Sequence, residues 1–172
     1  MLEYLTEPEF IKRMGSNEYF TVHGNRWRYM RRAIEIMKRH NAQSCLEIGT
    51  GGMPITNGDT LDNCEMYPVT HERDARSIPW PVDNNMYDFT VALQVFEHFD
   101  LKRKKQRQVF NEMERVSQNI IISVPYLWES TDGIHDGIDD AVVFGWAGRS
   151  ANESYLIEDI MTRKVYYWKV AK

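Results

Sequence analysis

An α/β fold, built on a mainly parallel sheet with a C-terminal antiparallel hairpin, is the class this sequence predicts. Three observations carry the prediction. Short apolar strands alternate with helix-period segments between Asn25 and Tyr126, the pattern of strands joined by crossover helices. A glycine-rich turn, Gly49-Thr50-Gly51-Gly52, closes the first of those strands. The tail "ESYLIEDIMTRKVYYWKV" reads as two strands around Met161 to Lys164, which adds antiparallel strands at one sheet edge.

Residues 1 to 22 are mixed and turn-rich, and their aromatics Tyr4, Phe10, Tyr19 and Phe20 are expected to pack on the main body. From Asn25 to His40 the residues Trp27, Met30, Ile34 and Met37 recur at helical spacing. Ser44 to Ile48 is an apolar strand, Asp59 to Asn63 a second, and Val69 to Ala75 a third. Pro79 and Pro81 stiffen a loop around Trp80, and a buried strand follows at Phe89 to Leu93. Asp100 is placed to cap a helix over Leu101 to Ser117, whose inner face is Leu101, Val109, Phe110, Met113 and Val116. Asn119 to Tyr126 is the fifth strand, stopped by Pro125. After the polar loop "ESTDGIHDGIDD", the segment "AVVFGWAG" suits either a short helix or a strand.

The chain of 172 residues has the length for one domain with a proper core and is short for two. Its longest apolar run, Ile120-Ile121-Ile122, cannot span a bilayer. The acidic, proline-bearing start "MLEYLTEPEFIKR" does not read as a secretory signal, so a cytoplasmic location is expected. A net charge of −4 argues against general nucleic-acid binding. The basic runs "RWRYMRR" and "KRKKQR" then read as solvated helix faces before they read as anion sites. Cys45 and Cys64 fall at opposite strand ends and are expected to be free thiols. No metal-ligand spacing is present. Trp80, Trp146 and Trp168 are expected to serve packing.

The residues after the glycine turn pose the chemical question. "MPITNGD" carries turn formers and no apolar repeat, so no helix is expected there. Without a helix N-terminus, the turn lacks the usual cradle for a phosphate, and no Gly-Lys-Ser/Thr marks a P-loop. Acids nevertheless close three successive strands: Glu47, Asp62 and Asp74. In a parallel sheet those ends share one rim, where α/β proteins bind ligands at the switch in strand order. Asp62 lies 15 residues beyond Glu47, short of the roughly 20 usual before a ribose-binding acid. The missing helix explains the shortfall. Glu47 could cap loop amides instead, but a buried acid is costly unless partnered, which favours a ligand.

Taken together, "LEIGTGG", "TLDN", "RDARSIPWP", "YDFTVALQVFEHF" and "NIIISVPY" resemble the class I S-adenosylmethionine-dependent methyltransferases, with Met53 standing where a third glycine is common. The resemblance implies a Rossmann-like sheet with S-adenosylmethionine as cofactor. It implies that Glu47, Gly49, Thr50 and Gly51 hold the methionine part. Asp62 and Asn63 would meet the ribose, Asp74 and Ala75 the adenine, and Gln94 to His98 the sulfonium side. That ligand contains no phosphate, which answers the question of the missing helix.

Methyl transfer then needs alignment of an acceptor, and a base only where the acceptor is an alcohol or a protonated amine. By position the candidates are His135 first and His98 second, with Tyr126 orienting the acceptor. The acceptor loop is expected to be Glu129 to Asp140. A small-molecule acceptor is the expected substrate. A binding or partner subunit without turnover is the competing reading, and a nicotinamide oxidoreductase is disfavoured by the absent helix. The few covering helices leave apolar sheet to be buried, either by the N-terminal segment or by a second copy docking on "VYYWKV" as a homodimer.

Overall fold

The computed structural model describes residues 1–15, 26–64, 66–99, 104–128, 137–158 and 161–171. Its centre is a seven-stranded sheet: β1 (Cys45–Ile48), β2 (Asp59–Asp62), β3 (His71–Glu72), β4 (Tyr87–Leu93), β5 (Ser117–Pro125), β6 (Glu153–Ile157) and β7 (Arg163–Lys169). The strand order is β3-β2-β1-β4-β5-β7-β6. The first five strands pair in parallel, while β7 runs antiparallel to both β5 and β6. The helices are α1 (Glu7–Met14), α2 (Arg26–Arg39), α3 (Lys104–Val116) and α4 (Asp140–Ala147).

Strand alternation divides the interior into two apolar layers, since successive side chains leave opposite faces of a sheet. On one side Ile120, Ile122 and Val124 of β5, with Tyr166 and Trp168 of β7, pack with Val109, Phe110, Met113 and Val116 of α3 and with Trp80 and Trp146. On the other side Ile121, Val165 and Tyr167 meet Met30, Ile34 and Met37 of α2. The N-terminal segment completes this second layer through Leu2, Leu5 and Phe10. The aromatic tail is thereby spent inside the chain, with Val165 to Trp168 all buried. A second copy finds no exposed aromatic face there.

Two local readings change. The third strand pairs only at His71 and Glu72 rather than over Val69 to Ala75. Arg73 N–H still donates to the Asp62 carbonyl as the last ladder bond, and the chain then turns, with Ser77 N–H donating to the Asp74 carbonyl. Asp74 therefore sits in a turn beyond the strand. The second change is α1, which the mixed N-terminal composition concealed. Glu9 Oε2 accepts from both the Thr6 N–H (2.9 Å) and the Thr6 hydroxyl (2.6 Å), anchoring its first turn. "AVVFGWAG" is helical, its start capped by the Asp139 carboxylate on Val142 N–H and its end by Gly148 at φ +70°. Asp100, Leu101, Tyr19 and Phe20 lie outside the described residues.

No helix of the described residues is long and apolar enough to cross a membrane. Cys45 and Cys64 are free thiols.

Candidate functional site

The strand order reverses between β1 and β4, and the ends of β1, β2 and β4 face one another there. Gly49 continues β1 at φ +62°, and a Cβ at that position would come within 2.8 Å of Val95. Only a glycine lets the backbone turn this way while Val95, just beyond β4, stands so close. The result is a cavity of about 160 Å³ at the switch point. Its walls include Gly49, Asp62, Asn63, Asp74, Ala75 and His98, with Val95 and Phe99 supplying apolar surface. Arg73 and Arg76 border it too.

The expected absence of a helix after the glycine turn is observed: Gly51 to Gly58 form turns and irregular chain with one bridge at Thr56. A connection without helix or sheet must satisfy its backbone groups by other means. Glu47 does much of this. Its Oε2 accepts from Ile55 N–H (2.8 Å), and its Oε1 accepts from Thr56 N–H (2.7 Å) and the Thr56 hydroxyl (2.6 Å). The N-terminal segment does the rest, with Leu5 N–H donating to the Ile55 carbonyl, Asn57 N–H to the Glu3 carbonyl, and Tyr4 bridging Thr56. Burial pushes the Glu47 carboxyl up to about 7, against the three hydrogen bonds that pull it down. Glu47 thus staples the loop that follows the glycines, with both oxygens engaged.

The remaining acids are also engaged, but differently. Asp62 is buried at the end of β2, and its Oδ2 accepts from Tyr67 Oη–H (2.9 Å) and Gly51 N–H (3.3 Å). Its Oδ1 has no hydrogen-bond partner among the described residues. Asp74 is gripped by Arg76, through the backbone N–H (2.8 Å) and the guanidinium (2.6 Å at Nη2), which holds its carboxyl below the usual range. Thr50 borders a much smaller cleft, shared with Glu47, Arg26 and Tyr29.

Gln94 follows β4 in the left-handed region at φ +59°, a conformation rare outside glycine. Two contacts hold it: Gln94 Nε2 donates to Ser123 Oγ (2.7 Å), and Arg163 Nε donates to Gln94 Oε1 (3.2 Å). Glu97, one turn on, is buried with Oε2 lacking a partner among the described residues, and burial pushes its carboxyl up to about 8. His98 is half exposed beside it, its Nε2 3.9 Å from Glu97 Oε1.

Of the three residues placed in chemical roles, only His98 borders the cavity. Tyr126 is turned to α4 instead: its hydroxyl donates to Asp140 Oδ2 (3.3 Å), and Lys164 Nζ lies 4.6 Å from its ring centroid. His135, with most of the Glu129 to Asp140 loop, lies outside the described residues. Among the described residues no cluster of three or more metal-ligating side chains occurs. The sequence reading missed Tyr67, Arg76 and Phe99. Arg76 alone left a trace, as a cation two residues after an expected ligand acid.

Comparison with solved structures matches this architecture to methyltransferases. N-methyltransferase NodS from Bradyrhizobium japonicum WM9, in complex with S-adenosyl-L-homocysteine, superposes with a TM-score of 0.63 at 9% identity, over 94% of this chain and 96% of that one. The chain has the class I methyltransferase fold. The methyltransferase domain of bacterial CtHen1 gives 0.57 at 14% identity, covering 81% and 96% of the two chains. Magnesium protoporphyrin IX methyltransferase ChlM from Synechocystis PCC 6803, with bound S-adenosylhomocysteine, gives 0.55 at 10% identity and 81% coverage of each. No protein-family model matches the sequence, and no curated protein matches it significantly.

Proposed function

We propose that this chain is an S-adenosylmethionine-dependent methyltransferase acting on a small molecule. The observation that carries the reading is Asp62: a buried strand-end carboxylate bordering the switch-point cavity, with one oxygen unpaired among the described residues. An acceptor that opens on a cavity and has no protein donor is free to take one from a ligand. A ribose hydroxyl is such a donor. Solved structures of the same fold holding S-adenosylhomocysteine support the choice of nucleoside.

The residues present suit that ligand. Asp62 and Asn63 would meet the ribose. Ala75, Val95 and Phe99 offer apolar surface for a flat base, with Asp74 and its Arg76 partner at the edge. Gly49, Thr50 and Gly51 would approach the methionine part by backbone, and Glu47 would act through the loop it staples. Gln94, fixed by Ser123 and Arg163, would stand on the sulfonium side.

When bound, S-adenosylmethionine supplies an electrophilic methyl carbon whose leaving group is a neutral thioether. The chain's own contribution is to hold the acceptor in line and to exclude water. His98 borders the cavity and would take a proton from an alcohol or ammonium acceptor. His135 is retained as the other candidate base, and Tyr126 as an orienting residue only if it leaves Asp140.

Calorimetric titration with S-adenosylhomocysteine tests the reading. Wild type should bind, and Asp62→Ala should weaken binding by about 1–3 kcal/mol through the lost charged hydrogen bond. Equal affinity in both would remove Asp62 from the ribose. Binding of NADH in place of S-adenosylhomocysteine would overturn the methyltransferase reading. A methyl-transfer screen over small-molecule pools then separates an enzyme from a binding subunit.

A further inference from the structure

The two oxygens of Asp62 are not equivalent. Oδ2 accepts from Gly51 N–H and from Tyr67 Oη–H, at 3.3 Å and 2.9 Å. Two donors occupy both lone-pair directions of a carboxylate oxygen. Oδ1 has neither. Asp62 retains 8% exposure and borders the cavity, whereas Tyr67 and Gly51 do not border it. The occupied oxygen therefore faces the loops, and the open one is what a ligand in the cavity meets.

Tyr67 is held in this position by more than one contact. It comes from the connection between β2 and β3 and lies against the glycine turn. A Cβ on Gly52, at φ +77°, would stand 2.9 Å from Tyr67 Cδ1. Gly52 thus leaves the space that the phenol ring fills. Burial, Asp62 and Cys64 together push the phenol well above its ordinary range, so it remains a donor throughout the physiological interval.

We propose that Tyr67 makes Asp62 a one-hydroxyl reader: its phenol occupies Oδ2, and the ribose is recognised at Oδ1 through a single hydroxyl. A carboxylate with both oxygens free would grip a vicinal diol with one bond from each hydroxyl. Here the second hydroxyl is left to water or to a neighbouring group. Tyr67 is in this sense a specificity-setting residue, and the inference rests on the nucleoside reading of the cavity.

The experiment compares S-adenosylhomocysteine with its 2′-deoxy and 3′-deoxy analogues by calorimetry, on wild type and on Tyr67→Phe. In wild type one analogue should bind within about threefold of the parent, and the other should lose about tenfold or more, the scale of one charged hydrogen bond. Tyr67→Phe keeps the ring against Gly52 and removes only the donor. In that variant Oδ2 is released to the second hydroxyl, so the tolerated analogue should now lose several-fold against the parent. Equal losses for both analogues in wild type overturn the proposal, because that is the signature of a two-hydroxyl grip. No loss for either overturns it as well, by removing Asp62 from the ribose. If Tyr67→Phe fails to melt cooperatively, the wild-type pair of analogues still decides the matter. Failure of wild type to bind S-adenosylhomocysteine at all is a separate result, which overturns the nucleoside reading beneath it.

Discussion

Two connections on the same sheet solve one problem in opposite ways. Between β4 and β5 the chain builds α3 and buries Val109, Phe110, Met113 and Val116 completely. Its backbone groups are satisfied within the helix, and its apolar stripe adds to the core. Between β1 and β2 the chain builds no helix. The peptide groups at Ile55 to Asn57 are met by a buried carboxylate and by the N-terminal segment. The first solution is local and apolar. The second is polar and depends on groups far away in sequence. The difference shows that a cavity rim can be shaped by a loop if a buried carboxyl group replaces the helix ladder.

The largest expected effect lies on the helical side. Phe110→Ala should cost about 3–5 kcal/mol, the usual range for an aromatic cavity in a core. Urea unfolding should register it as a lower midpoint with an unchanged slope, and a loss under 1 kcal/mol would mean that α3 is not the anchor described.

The polar side should respond locally. Glu47→Ala strands two amides, each worth about 1–3 kcal/mol when left buried and unpaired. Hydrogen exchange should accelerate at Ile55 and Thr56 well before it changes in α3. Uniform acceleration in both connections would erase the distinction.

A pH test sharpens it further. Burial raises the Glu97 carboxyl from 4.5 to about 8. The folded state therefore binds that proton more tightly than the unfolded state does. The associated stability is fully present below pH of about 4.5 and is lost as pH rises through about 8. Glu47, raised to about 7, acts with the same sign. Denaturant midpoints should thus fall between mildly acidic and mildly alkaline buffer, and Glu97→Gln should flatten part of that slope. A wild-type midpoint that climbs over the same interval would contradict the burial of these groups.

The smallest effect concerns α1, the helix that follows the N-terminal residues paired with the loop. Thr6→Ala removes one of the two donors to Glu9 and should cost about 0.5–1 kcal/mol. Thermal melting should detect a drop of a few degrees, and no change would leave α1 held by Phe10 alone.

How far these features could be read beforehand follows the same divide. α2, α3, β4 and β5 were legible because their apolar residues recur at helical or strand spacing over long stretches. The missing helix after Gly52 was legible too, since Asn57 and Gly58 break any repeat. The third strand was overextended because Val69 to Ala75 has strand-like composition, while the turn that stops it is closed by Ser77 N–H on the Asp74 carbonyl. α1 was hidden because Phe10 is its one buried residue, too little for a periodic signal, although Thr6 and Glu9 spell a capping box. In the site, the rim acids could be located from strand ends alone. What each oxygen does could not. Glu47's amide partners lie eight and nine residues away, and Tyr67's role appears only once its ring rests on the glycine turn.

The strap from Glu3 to Leu5 across Ile55 to Asn57 has a thermodynamic consequence. It joins the chain's first residues to the glycine loop, so the two share one local opening equilibrium. By linkage, anything that steadies the loop steadies the strap to the same degree, and the converse holds. A nucleoside seated at the switch point should therefore slow cleavage at Glu3 to Leu5 by a nonspecific protease, although they touch no part of the cavity. Susceptibility of the strap becomes a gauge of occupancy at the rim.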